Sequence, residues 1–179
     1  MQYLSVLIGI ISSAALLGCS YEDRQTFTLV ETQAPSIATT QPSAEQLAAY
    51  KATLSADTYH IMFESGTEPP FRNAYHDNHA DGTYVSAATG APLFSSDDKY
   101  DSNTGWPSFT KAINEGAVVL KTDPDGDRVE VIDASSGGHL GHVFDDGPTD
   151  RGGKRYCMNS AAMKFVPKGE KLPTTQPVK

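Results

Sequence analysis

Turn-forming clusters cut the second half of this chain into pieces too short for helices. Asp81-Gly82, Asp123-Pro-Asp-Gly126, Ser136-Gly-Gly138 and Asp146-Gly-Pro148 punctuate it at short intervals. The segments between them are rich in β-branched and aromatic residues. They predict strands at residues 83–87, 118–122, 128–133, 139–144, 155–159 and 163–166. Asp123 to Gly126, lying between Val118–Leu120 and Val129–Val131, predicts a β-hairpin. Upstream the signals change. Ser43-Ala-Glu-Gln46 has the form of a capping box before Leu47 to Tyr50, and Ser55-Ala-Asp-Thr58 opens a second short helix through Tyr59 to Phe63. Gly66 and Pro69-Pro70 then prevent further helix. The fold class is therefore mainly β (α+β), antiparallel, with short N-terminal helices, over residues 43–167.

The flanks read differently. Residues 4–18 form an uncharged apolar run of signal-peptide length, too short for a membrane span. It ends in Leu16-Leu17-Gly18-Cys19, which resembles a bacterial lipobox. The expectation is a signal peptide at 1–18 and a lipid anchor on Cys19, on a cell-envelope protein. With Ser20 following, a Gram-negative cell would place it at the outer membrane. The first eighteen residues carry no Lys or Arg, a departure from the usual signal n-region. Residues 19–42 are polar, without hydrophobic periodicity, and read as a tether with a reach of roughly 25–30 Å. Residues 168–179 read as a polar tail. The formal charge of −8 argues against a nucleic-acid binder held by phosphate contacts.

Two cysteines among 179 residues are too few for a disulfide scaffold or a four-cysteine zinc site. The one in the folded part, Cys157, follows Arg155-Tyr156, so a cation stands near a thiol. His139-Leu-Gly-His142 places two imidazoles at i and i+3, on opposite faces of a regular strand unless Gly141 bends it. Trp106, the only tryptophan, lies in a Gly-Trp-Pro turn. Each has a plainer reading: a small buried hydrophobe, surface histidines, a core ring. A metal reading competes, since His76-Asp-Asn-His79 repeats the His-x-x-His spacing.

Six motifs resemble methionine sulfoxide reductase B, in that family's order and over about residues 45–166. They are Gly66-Thr-Glu-Pro-Pro-Phe71, Gly90-Ala-Pro-Leu-Phe94-Ser-Ser96, Asp101-Ser-Asn-Thr-Gly-Trp-Pro-Ser-Phe109, His139-Leu-Gly-His-Val-Phe144, Asp146-Gly-Pro148 and Arg155-Tyr-Cys-Met-Asn-Ser-Ala-Ala162. The resemblance implies two antiparallel sheets in a sandwich or open-barrel-like domain, and reduction of the R epimer of methionine sulfoxide in proteins. Methionine sulfoxide is the repairable rung of methionine oxidation. Cys157 falls on the family's catalytic cysteine. Arg155, Asn159, His139, His142 and Asp146 fall on its active-site positions, and Trp106 on its substrate contact.

The chemistry suits these side chains. A thiolate attacks the electrophilic sulfoxide sulfur, an imidazolium protonates the departing oxygen, and the cysteine is left as a sulfenic acid. Two departures stand out. Where many members hold zinc with two Cys-x-x-Cys pairs, this chain has Ser86, Thr89, Asp133 and Ser136, so no metal or other bound cofactor is expected. Where many have a resolving cysteine, it has Thr104. Recycling then falls to an external reductant: a thioredoxin-like or glutaredoxin-like dithiol protein, or a small thiol. A different class of function, a non-catalytic module of this fold that captures methionine-rich segments or metal, would not need Cys157.

Overall fold

The computed structural model describes residues 41–174. The expected signal peptide, Cys19, nearly all of the expected tether and the last five residues lie outside the described residues. Helix α1 (Ala44–Thr53) begins with the capping box: Ser43 accepts from the Gln46 backbone, and the Gln46 side chain accepts from the Ser43 backbone. Helix α2 (Ala56–Phe63) is capped by Ser55, whose hydroxyl accepts from the Thr58 N–H. Ile61 and Met62 are buried, and α2 packs on β7 (His139–Phe144).

The rest is two antiparallel sheets. The smaller has the order β2-β1-β9, with β2 at Pro92–Ser95, β1 at Gly82–Ser86 and β9 at Met163–Pro167. The larger has six strands in the order β3-β4-β8-β7-β6-β5. Its other members are β3 (Lys99–Tyr100), β4 (Ser108–Phe109), β5 (Val118–Thr122), β6 (Val129–Asp133) and β8 (Arg155–Met158). Neither sheet closes into a barrel: the larger ends on β3 and β5. The fold is the two-sheet antiparallel class the sequence implies.

The sheets meet through aromatic rings. Phe109 of β4 stacks on Phe94 of β2 at 4.5 Å and meets the Tyr84 ring of β1 edge-on at 5.0 Å. Leu93, Val131, Leu140 and Met158 complete this fully buried centre. Such offset and T-shaped ring pairs add about 0.5–1.5 kcal/mol each beyond their burial. Burial pushes the Tyr84 phenol up to about 12.

Six expected strands are present, with ends shifted by one residue at several. Arg155–Met158 stops one short because Asn159 turns into a 3-10 segment over Ser160–Ala162. The expected hairpin joins β5 and β6, with the Gly126 N–H donating to Asp123 and the Asp123 N–H donating to Arg128. Three strands were not expected: β2, which opens on a proline, and the two-residue β3 and β4. A proline is tolerated at the start of an edge strand, which is where Pro92 stands.

Candidate active site

Sheet register builds the site. Tyr100 pairs with Ser108, Ser108 with Cys157, Cys157 with His142, His142 with Glu130, and Glu130 with Lys121. Cross-strand partners point to the same face with Cβ atoms about 5 Å apart. One row across six strands therefore carries a thiol, an imidazole, a carboxylate and two hydroxyls. Two positions along β8, on that same face, Arg155 pairs with Phe144, and its guanidinium lies 4.3 Å from that ring centre. The alternate residues Val143, Tyr156 and Phe109 face the core.

The two histidines do not follow simple alternation. Val131 pairs with Gly141 but Ile132 with His139, so Leu140 is an extra residue in β7. This bulge brings the His139 and His142 rings to 5.3 Å between centres. Gly141 is required there, because a Cβ on it would overlap the Cys157 carbonyl oxygen on β8.

A cavity of about 150 Å³ opens on this row. Trp106, His142, Phe144, Cys157, Met158 and Asn159 line it, together with Thr67 and Arg128. Trp106 is half-buried, with its Nε1–H donating to the Glu68 carbonyl at 3.0 Å. Gly105 lets the loop carrying Glu68 close on it. Its φ is +87°, and a Cβ there would strike Pro70 and the Phe71 backbone. Asn159, 3% exposed, accepts from the Glu68 N–H through Oδ1 and donates to the Leu140 carbonyl through Nδ2. It thus ties that loop to the bulge. The Glu68 carboxylate accepts from the Ala161 N–H, and burial raises its pKa.

Burial pushes the Cys157 thiol up, against the opposing influence of Thr104, Arg155 and Ser108. Thr104 Oγ1 stands 3.9 Å from the sulfur and belongs to a hydroxyl chain through Ser102 (2.8 Å) to Ser108 (2.7 Å). The cation expected to favour the thiolate is shared: Arg155 grips the exposed Asp146 through Nε (2.7 Å) and Nη2 (2.8 Å). That fork holds the Asp146 carboxyl below the usual carboxylate range and the guanidinium above its own. Asp146 touches Arg155 rather than the cavity.

Three residues of the site carried no sequence signal. Glu130 meets His139 Nδ1 at 2.7 Å; Asp123 meets His142 Nε2 at 3.1 Å and Arg128 at 2.9 Å. Only the register of the β5–β6 hairpin against β7 brings them there. The other histidine pair stands elsewhere: His76 contacts the Asn73 carbonyl, and His79 the exposed Asp77. Among the described residues no three metal-ligating side chains converge.

Among Ser86, Thr89, Asp133 and Ser136, hydrogen bonds converge on Asp133. Its Oδ2 accepts from Ser86 (2.5 Å) and Ser136 (2.6 Å), and its Oδ1 from the Ser135 hydroxyl (2.7 Å) and N–H (2.9 Å). Thr89 joins through Ser135 at 2.6 Å. Asp133 and Ser86 are fully buried.

The comparisons agree with this geometry. A family profile described as the SelR domain matches residues 54–167. A relative from Vibrio cholerae, named peptide methionine sulfoxide reductase MsrA/MsrB, is 51% identical over 132 residues. The match covers 73% of this chain and 34% of that protein, so the chain spans about a third of the length of the curated relative it matches. Because the matched stretch contains every strand, the cavity and its cysteine, the chain belongs to the SelR domain family, that of methionine sulfoxide reductase B.

Proposed function

We propose that the protein reduces peptide methionine (R)-S-oxide to methionine, with Cys157 as nucleophile. The supporting observation is the cavity in which the only cysteine among the described residues faces Trp106, His142 and Asn159. Cys157 attacks the sulfoxide sulfur, forming an S–S bond as the S–O bond breaks and the protonated oxygen leaves as water. Water then adds to the cysteine sulfur and breaks the S–S bond, giving methionine and a sulfenic acid with no net change in protons. His142, which lines the cavity, and His139 beside it supply and take back the proton that moves with that oxygen. Trp106 and Phe144 give the S-methyl group an apolar contact. Asn159 holds the Glu68 loop, and so Trp106, in place. Arg155, braced by Asp146, offers positive charge to the thiolate.

Recycling needs two thiols from outside: they reduce the sulfenic acid to thiol and water and leave as a disulfide. A thioredoxin-like or glutaredoxin-like protein, or a small thiol, fits that role, since Thr104 stands where a resolving cysteine would. The Asp133 hydrogen-bond cluster supports a domain that needs no zinc. The lipobox-like Cys19 supports attachment to an envelope membrane, where the enzyme would repair oxidised envelope proteins.

The test is turnover of separate R and S epimers of a methionine sulfoxide peptide, first with dithiothreitol and then with thioredoxin. Reduction of the R epimer alone, lost in Cys157→Ser, is expected. Reduction of the S epimer, or activity surviving Cys157→Ser, overturns the assignment. Peptide binding without turnover in the wild type, kept in Cys157→Ser, would instead mark a binding module.

A further inference from the structure

Asp123 and Glu130 belong to none of the six family motifs, yet each spends its carboxylate on one histidine of the site. Both stand on the β5–β6 hairpin, Asp123 at its turn and Glu130 within β6. Glu130 is the register partner of His142 but contacts His139, through Nδ1 at 2.7 Å. Asp123 takes His142 through Nε2 at 3.1 Å. Side-chain exposures of 8% for His139, 21% for Glu130, 16% for His142 and 14% for Asp123 put both pairs largely out of bulk water, where such contacts are less screened.

A carboxylate can only accept, and a neutral imidazole has a single N–H. Glu130 therefore selects the Nδ1–H form of His139, and Asp123 the Nε2–H form of His142. Neighbouring rings on one strand are held in opposite tautomers. The charges around His142 are mixed. Asp123, and Glu130 across the strand, favour a positive ring; Arg128 on the hairpin and His139 on the same strand oppose it. Cys157 stands opposite on β8, with Arg155 two residues before it. Arg128 also grips Asp123 at 2.9 Å and so weakens the charge His142 feels.

We propose that Asp123 and Glu130 are positioning residues that fix the tautomers of His142 and His139, and that Arg128 tunes the protonation of His142 through Asp123. This deepens the reductase reading and rests on it only for the kinetic part of the test. Burial, then Arg128, hold the His142 pKa below the ordinary imidazole value, with Asp123 acting against them. If His142 must be protonated to act, activity falls as pH rises through its pKa. Removing Asp123's charge moves that alkaline limb to lower pH; removing Arg128's charge moves it to higher pH.

The first experiment needs no variant and no activity. Imidazole ¹⁵N spectra of the wild-type protein at alkaline pH should show His139 as the Nδ1–H tautomer and His142 as Nε2–H. The reverse assignment for either ring overturns the proposal. The second compares kcat/KM against pH for Asp123→Asn and Arg128→Gln, with far-ultraviolet circular dichroism to confirm folding. Limbs displaced in opposite directions are expected; unmoved limbs in folded variants overturn the tuning role. In Glu130→Gln, the ¹⁵N spectra should show His139 losing its preference for Nδ1–H, and an unchanged preference overturns the role of Glu130. A wild type inactive on methionine sulfoxide would defeat the reductase reading while leaving the ¹⁵N result to stand or fall alone.

Discussion

Cys157 sits in surroundings that work against its own ionisation. A buried thiol resists becoming a thiolate, and the nearest full charge, Arg155, is already paired with Asp146. The other groups close to the sulfur are neutral: the Thr104 hydroxyl, backed by Ser102 and Ser108. A hydroxyl donates best to a thiolate, so this chain favours the reactive form. Thr104→Val keeps the shape and removes the donor. The Cys157 pKa should then rise further, lowering the thiolate fraction at neutral pH. A hydrogen bond of this kind contributes about 0.5–1.5 kcal/mol, so alkylation at neutral pH should slow roughly two- to tenfold. The deficit should vanish at high pH, where both proteins are ionised. Iodoacetamide labelling against pH, with the modified cysteine located by mass spectrometry, reads this. An unchanged profile would mean that the Thr104 hydroxyl does not donate to the sulfur.

At the scale of elements, Asp133 joins two turns. The turn after β1 contributes Ser86 and Thr89; the turn after β6 contributes Asp133, Ser135 and Ser136. With neither oxygen free, Asp133→Ala would strand the buried hydroxyls of Ser86 and Ser136, each at about 1–3 kcal/mol. A loss of at least about 2 kcal/mol in urea unfolding is expected, with no effect of a chelator on the wild type. A loss below about 1 kcal/mol, or a midpoint lowered by chelator, would mean that something else joins the turns. Local signals at this scale were readable in the sequence. The Ser43–Gln46 capping box and the Asp123–Gly126 turn each need only residues close together in the chain. The two-residue β3 and β4 were not, because β4 is a strand only through pairing with β8, and β3 only through pairing with β4. The same division runs through the site. Cys157, His139, His142 and Trp106 stand in recognisable motifs. Asp123, legible only as a turn residue, and Glu130 and Arg128 do not, because only the register of β6 against β7 gives them a role in the site.

For the molecule as a whole, β1 and β9 are neighbours although nearly the entire fold lies between them in sequence. Pairing the first strand with the last closes the described unit on itself. Cys19 precedes α1 in the sequence and Cys157 stands in β8. If Cys19 is the lipid anchor, the two thiols never meet, and loss of one should leave the work of the other intact. Cys19→Ser in the full chain should abolish incorporation of labelled fatty acid and release the protein from membranes. The same variant should reduce methionine sulfoxide with dithiothreitol at the wild-type rate. Dimedone should trap a sulfenic acid on Cys157 in both proteins. The opposite pattern carries its own meaning. If Cys19→Ser slowed thioredoxin-driven turnover about tenfold while leaving the dithiothreitol rate unchanged, Cys19 would be a resolving thiol acting across a flexible segment. Polar chains of this length span roughly 25–30 Å, so that reach is physically open. Lipidation of the sulfur and disulfide exchange through it exclude each other, and a single substitution therefore decides between them.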